Sequence, residues 1–205
     1  MTSARSIPNG VIAFTALYMA IATVAALTKG NTEFVFYLAA MIVMIAVVAV
    51  VHRRVDLHPA TLWLLTAWGA AHMAGGLMPL PESWPRGAEG RVLYNLWLIP
   101  DYLKYDQFLH AYGFGVCTWV CWQGIAAATG RTRPSFGLLS LAVLAAIGLG
   151  AMNEVIEFAA TLTMPETNVG GYRNTGWDLV SNLVGTLIAG AWIWVAHKER
   201  GTPTP

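Results

Sequence analysis

The chain has 205 residues, of which 56% are hydrophobic and only 11% are charged. Soluble domains carry about 25% charged residues, so this composition predicts an integral membrane protein. Twelve basic residues nearly cancel eleven acidic ones, and the resulting net charge of +1 gives no reason to expect a nucleic-acid partner.

Six apolar stretches are long enough to cross a membrane, which takes about 20 helical residues. In chain order they cover residues 11–28, 34–51, 60–80, 107–129, 136–163 and 177–196. We therefore predict an all-α fold, in which residues 1–205 form a single polytopic membrane helix bundle with six transmembrane helices. The polar tail at residues 201–205 is expected to be disordered.

A long connection at residues 81–105 separates the third and fourth predicted helices. Three prolines interrupt it, but segment 92–99 is aromatic and apolar enough to lie at a membrane interface. We expect this segment to form an interfacial helix or a lid that packs over the polar residues through Leu93, Tyr94 and Trp97. A plain linker with aromatic anchors is the alternative interpretation.

Basic residues in the loops predict the orientation of the bundle. With six spans both termini lie on one side of the membrane, and the short loops on that side are basic. Their basic residues are Arg5, Arg53, Arg54, Arg131, Arg133, Lys198 and Arg200. Short basic flanks mark the cytoplasmic side, so we predict that both termini are cytoplasmic and that the loop at 81–105 is external.

Three pairs of polar residues interrupt the last three apolar stretches, and the members of each pair share one helix face. The pairs are Asp106 with His110, Glu154 with Glu157, and Asp178 with Asn182. A carboxylate near the bilayer centre costs roughly 2.5 to 3.5 kcal/mol on insertion scales and usually faces the bundle interior or a cavity. In the predicted orientation, all three pairs and His72 of the third helix lie in the outer half of the membrane. We therefore expect one polar site.

Carboxylates together with imidazole can hold a divalent metal ion, with zinc, iron and manganese as the candidates. The predicted metal ligands are His110, Glu154, Glu157 and Asp178. Glu154 and Glu157 are also the predicted catalytic acid and base. The residues expected to surround these ligands are Asp106, Asn182, His72 and Asn174. A metal-free alternative is that the two close glutamates share a proton, as an acid–base pair or a proton relay.

Structural roles provide alternative explanations for most of these residues. Asp106 and Asp178 could favour helix N-termini through the helix dipole and the free amides. Asn182 could form a hydrogen bond between packed helices, and His72 could be an ordinary core histidine. Glu154 is the hardest to explain structurally, because its depth excludes both capping and snorkelling.

Three motifs in the second half of the chain resemble those of YjdF-type bacterial inner-membrane proteins and, more distantly, of the VanZ-like group. They are Tyr105-Asp106-x-x-x-His110, Asn153-Glu154-x-x-Glu157 and the segment 171–185, which contains Asn174, Asp178 and Asn182. The resemblance implies a multi-span protein of the bacterial inner membrane with an acidic and histidine motif set. It implies no established activity.

Three hypotheses for the function follow, in decreasing order of preference. The first is a membrane enzyme that uses a metal ion or a carboxylate pair to act on a membrane lipid or another apolar substrate. The second is an accessory subunit whose polar residues organise a complex with a membrane-protein partner or with further copies of the chain. The third is a proton-coupled transporter, although the chain lacks the internal repeat common in such folds.

Overall fold

The computed structural model describes residues 5–29, 32–87, 90–164, 167 and 169–199. Within these residues the chain forms six α-helices, which confirms the predicted all-α bundle. The helices are α1 (Asn9–Lys29), α2 (Thr32–Val55), α3 (Pro59–Leu77), α4 (Tyr105–Thr129), α5 (Phe136–Thr163) and α6 (Tyr172–Glu199). The predicted disordered tail at 201–205 lies outside the described residues.

Four of these helices contain a stretch that is long and apolar enough to cross a membrane by length and composition. The stretches are Asn9–Thr28 in α1, Phe34–Val55 in α2, Phe136–Thr163 in α5 and Tyr172–His197 in α6. Large apolar side chains point outward from them, for example Ile42 on α2 and Leu144 on α5, which are each about 60% exposed. Lipid would cover such faces.

Helix α4 occupies the interior position of the bundle, because it packs against α2, α3, α5 and α6. Protein surrounds it, so this helix can carry polar side chains without presenting them to lipid. Trp122 of α4, Leu139 of α5 and Ile193 of α6 belong to one buried apolar cluster, which joins the three C-terminal helices. A second cluster joins α1, α2 and α3 through Ala26, Phe34 and Met73.

Small residues allow α4 and α6 to approach each other closely. A Cβ atom added at Gly185 of α6 would overlap the carbonyl carbon and oxygen of Ala111 on α4. On α5, a Cβ atom added at Gly150 would lie 2.8 Å from Nδ2 of Asn182. Glycine therefore permits two backbone approaches near the polar residues, as is common between membrane helices.

The loop between α3 and α4 does not form the interfacial helix considered above. The described residues of the loop contain a 3-10 turn at Leu93–Asn95 and a short antiparallel hairpin of β1 (Trp97–Ile99) and β2 (Leu103–Lys104). Pro100 disfavours helix at the residue before it, and Asp101 adopts the left-handed conformation, with φ 63°, within the turn. The lid alternative fits this part of the loop better, because the Tyr94 ring packs against Gly75 and Gly76 of α3.

Arg5, near the beginning of the chain, is attached to the end of the bundle opposite the loop between α3 and α4. The main-chain N–H of Arg5 donates to Asp56 Oδ1 at 2.9 Å, and its Nε donates to Oδ2 at 3.1 Å. Nε2 of the buried His52 lies 2.7 Å from the carbonyl oxygen of Arg5. These contacts place Arg5 beside the turn between α2 and α3.

Candidate functional site

Four carboxylates converge on the buried imidazole of His110. Its Nε2 lies 3.8 Å from Oδ1 of Asp106 and 4.0 Å from Oε1 of Glu157. Its Nδ1 lies 3.5 Å from Oε1 of Glu154. Asp178 joins Asp106 and His110 in a group whose potential ligand atoms all lie within 4.8 Å of one another. The structure thus brings together the four predicted ligands, although their binding of a metal stays a prediction.

Asn182 orients the central imidazole. Its Oδ1 lies 3.0 Å from Nδ1 of His110, and an amide oxygen can only accept, so this contact places a proton on Nδ1. The Nε2 atom, which faces Asp106 and Glu157, is then free to bind a metal ion. Metal-binding histidines commonly donate their other ring N–H to a neighbouring acceptor in this way.

Helix α6 begins earlier than the apolar pattern predicted, and this start determines the position of two site residues. The helix begins at Tyr172 and not at residue 177. Asn174, which was expected beside the ligands, lies in the first turn of α6. Asp178 lies in the second turn, six residues after Tyr172, so the N-capping explanation does not apply to it.

Asn174 connects two carboxylates of the site with a lysine. Its Nδ2 donates to Asp178 Oδ2 at 2.6 Å and lies 3.3 Å from Asp106 Oδ2. Its Oδ1 accepts from Nζ of Lys104 at 3.3 Å. Asp106 also lies in the first turn of α4, where the helix dipole favours a carboxylate. The dipole therefore contributes to its position without accounting for its contact with His110.

Lys104 is a site residue that the sequence interpretation missed. It is only 7% exposed, and its Nζ lies 5.6 Å from the ring centroid of Trp97 in the loop. From sequence, Lys104 was indistinguishable from the other basic residues of the loops predicted to be external. Its only visible signal was its position two residues before Asp106.

The loop contributes Tyr94 to the site, as the lid interpretation predicted. The Tyr94 hydroxyl donates to the carbonyl oxygen of His72 at 2.7 Å. Burial, followed by the charges of Asp106 and Glu157, raises the pKa of Tyr94 well above its usual value. The hydroxyl therefore stays protonated and keeps its role as a donor at any physiological pH.

Several buried carboxylate oxygens of the site have no hydrogen-bond partner among the described residues. They are both oxygens of Glu154 and Oδ1 of Asp178. Glu154 is 7% exposed and Asp178 is 0% exposed. Glu157 differs from them, because Asn153 donates to its Oε1 at 2.8 Å. Buried polar atoms are nearly always paired, so these orphaned oxygens require a cation, a proton, ordered water or a hydrogen bond from Nδ2 of Asn182, which is itself buried and unpaired among the described residues.

A small cavity adjoins the cluster. Its volume is about 30 Å³, enough for a water molecule or an ion. Its lining residues are Phe34, Tyr37, His72, Tyr94, Asp106, Glu157, Val169 and Asn174. His72, which was expected near the ligands, thus lies on the cavity wall, with its ring packed edge-on against Tyr94. The cavity lining therefore combines aromatic residues with carboxylates.

The apolar outer faces and the polar interior define the class as an integral membrane protein of several helices. Residues 10–199 match the family described as Predicted membrane protein (DUF2238), and the chain belongs to that family. No curated protein and no solved structure matches it. The family match supports the membrane class that the YjdF-type and VanZ-like resemblance implied, but it does not confirm either of those names.

Proposed function

We propose that the protein is a metal-dependent membrane enzyme that acts on a lipid or another apolar substrate. The observation that carries the proposal is the position of Glu154. Both of its oxygens are buried without a hydrogen-bond partner among the described residues, and Oε1 is 3.5 Å from the His110 ring. A divalent cation held by Glu154 and its neighbours would satisfy these oxygens.

The composition of the cluster supports a divalent cation. Two ligand atoms that each bind zinc at about 2.1 Å can lie at most about 4.2 Å apart. The distances from Nε2 of His110 to Asp106 and Glu157, 3.8 and 4.0 Å, fall within that limit. Mixed imidazole and carboxylate ligands suit zinc, iron and manganese.

The chemistry of such a site follows from its donors. A bound divalent ion would polarise a carbonyl or phosphoryl oxygen and lower the pKa of a water ligand. His110 and Asp178 would hold the ion, while Glu154 and Glu157 would share ligation and proton transfer. Asn182 and Asn174 would keep the imidazole and the Asp178 carboxylate in position through their hydrogen bonds.

The aromatic residues that line the cavity support an apolar or amphipathic substrate. Phe34 and Tyr37 of α2 and Tyr94 of the loop line it together with Asp106 and Glu157. Phe34 and Tyr37 lie near the start of α2, whose neighbouring apolar residues are exposed to lipid. A membrane lipid at these faces would keep its chains in the bilayer and present its polar group at the edge of the cavity, whose volume of about 30 Å³ admits only a water molecule or an ion.

The proposal is tested by the metal content of the purified protein and of two variants. Glu154→Gln keeps the shape of the side chain but removes its charge, and His110→Ala removes the nitrogen donor. Each variant should lose the bound metal, and the double variant should lose little more, because members of one site are not additive. Glu82→Gln is the matched control, since Glu82 is a 79% exposed carboxylate in the same loop region as the lid.

A wild-type protein without metal, together with a Glu154→Gln variant of unchanged stability, would contradict the proposal. A metal-free protein in which Glu154→Gln raises stability would favour the proton-sharing alternative, because the neutral amide would then replace a costly buried carboxyl. Liposome flux would test a proton-coupled transporter of this kind. An accessory subunit would be supported by metal-free protein that co-purifies with a membrane-protein partner.

We also propose a multi-pass location in a bacterial inner membrane with both termini in the cytoplasm. The support is the cluster of basic residues His52, Arg53 and Arg54 in the last turn of α2, together with the attachment of Arg5 beside them. In this orientation the cavity lies in the outer half of the bilayer. A homo-oligomer is compatible with the broad apolar outer faces.

A further inference from the structure

We infer that the polar cluster binds two divalent cations and not one, an inference that rests on the proposed metal-dependent function. The ligand atoms form two groups that share only His110. Asp106, His110 and Asp178 make the first group, and His110, Glu154 and Glu157 make the second. Within each group the ligand atoms lie within 4.8 Å of one another.

The division into two groups limits what a single ion can bind. Among the described residues, neither group includes Asp178 together with a glutamate. Asp178 and a glutamate therefore do not lie within 4.8 Å of one another and of His110 at once, and this spread exceeds the distance of about 4.2 Å that two ligand bonds of about 2.1 Å can span. An ion among Asp106, His110 and Asp178 would therefore leave the glutamates without a cation.

Orphaned oxygens occur in both groups. In the first group the orphan is Oδ1 of Asp178, whose side chain is completely buried. In the second group both oxygens of Glu154, 7% exposed, are orphans. One cation would satisfy the oxygens of one group and leave those of the other unpaired, which is costly in a buried site.

The formal charges agree with two cations. Four carboxylates carry four negative charges when ionised, and two divalent ions would neutralise them. A single divalent ion would leave two negative charges in a buried site. Lys104 offsets part of this charge at one edge, where its Nζ contacts Asn174, the partner of Asp178.

The two positions should differ in their preference for metals. Because Nδ1 of His110 donates to Asn182, the imidazole has only Nε2 available and can ligate one ion. Nε2 lies 3.8 Å from Asp106 and 4.0 Å from Glu157, so one position takes the imidazole and the other keeps carboxylate oxygens alone. Zinc or iron should favour the position with the imidazole, and manganese or magnesium the other.

The number of ions per chain is the direct test. Metal-free protein in detergent is titrated with Mn²⁺, and the bound ion is counted after gel filtration. Wild-type protein should bind two Mn²⁺ per chain. Asp178→Asn and Glu157→Gln should each bind one, and Glu82→Gln, a distant carboxylate, should still bind two. Each variant must elute and melt like the wild type to be counted.

Electron paramagnetic resonance of the wild-type protein gives a second measurement that needs no variant. Metal pairs in proteins lie about 3.5–4 Å apart, where two Mn²⁺ ions are magnetically coupled. A coupled spectrum supports the inference. One uncoupled Mn²⁺ per chain, lost in both the Asp178→Asn and the Glu157→Gln variant, would overturn it and leave the single-metal function standing. Absence of any bound ion would overturn both.

Discussion

The close contact between α4 and α6 predicts a large effect from adding one methyl group. In Gly185→Ala, the new Cβ atom would overlap the carbonyl group of Ala111 on the facing helix. The obstacle is backbone, so it cannot rotate away as a side chain would. The two helices must therefore separate or shift, although neither Gly185 nor Ala111 is one of the predicted ligands.

The magnitude follows from a comparison with Gly176→Ala in the same helix. A Cβ atom at Gly176 meets no other atom within 4 Å. Both substitutions gain helix propensity, worth up to about 1 kcal/mol, and this gain cancels in the comparison. The difference between the variants is then the steric cost alone, which for overpacked cores is about 1–3 kcal/mol. The upper part of that range applies here because the obstacle is backbone.

Unfolding of both variants in mixed detergent micelles with increasing SDS measures this difference. Gly185→Ala should unfold at lower SDS than the wild type, and Gly176→Ala at the same SDS or higher. Gly185→Ala should also weaken metal binding, because α4 carries His110 and α6 carries Asp178. Equal unfolding of the two variants would refute the inferred contact between the helices.

Three further predictions concern the loop, the beginning of the chain and the orientation. Tyr94→Phe removes the hydrogen bond to the carbonyl oxygen of His72 and should lower the free energy of unfolding by about 0.5–1.5 kcal/mol. Amide exchange across residues 92–99 should be faster in this variant than in the wild type. Wild-type exchange as fast as in an unfolded peptide would rule out a packed lid. The hydrogen bond from the main-chain N–H of Arg5 lowers the pKa of Asp56; desolvation opposes this effect, and the Arg5 side chain adds to it. The contact should therefore be fully formed above the ordinary carboxyl pKa of about 3.9 and be lost as the pH falls through the lowered pKa of Asp56. Amide exchange at Arg5 measured against pH should show this dependence, and Asp56→Asn should remove it. In a variant without Cys117 and Cys121, a cysteine at Ser83 should react with a membrane-impermeant reagent added outside cells and a cysteine at Arg131 should not; the reverse result would invert the proposed orientation.

Hydropathy predicted the bounds of a helix well where its side chains are apolar enough to face lipid. Helix α5 covers residues 136–163, the same residues as its apolar run. At α3 the predicted end at residue 80 was wrong, and the helix ends at Leu77. Pro79 explains the difference, since the residue before a proline disfavours helix.

Hydropathy failed to predict the first turn of α6, because that turn contacts the residues of the candidate site and not the bilayer. Arg173, Asn174 and Gly176 interrupt the apolar character there, so the helix was predicted to begin five residues too late. When only hydropathy is considered, polar residues at the start of a helix are assigned to a turn. The same residues form a helical turn here, because Asn174 finds partners in Asp178 and Asp106.

It could be predicted that the polar residues lie at one level of the bundle, but not which of them are in contact. Depth follows from counting residues along a helix at about 1.5 Å each, and this placed His110, Glu154 and Asp178 in one layer. Which side chain meets which depends on how each helix is rotated about its axis. The contact of Asn182 with His110 and the burial of Lys104 both depend on that rotation, which the depth of a residue along its helix does not specify.

Glycine contacts and site residues occupy the same faces of the helices, which explains how the rotation is set. On α6, Asn182 and Gly185 are three residues apart, and on α5, Gly150 and Glu154 are four apart, so each pair shares a face. Gly150 receives the Asn182 side chain at its surface. A larger residue there would push Asn182 away, and with it the acceptor that orients His110. The glycines therefore control the geometry of the carboxylates although they contribute no polar side chain to it.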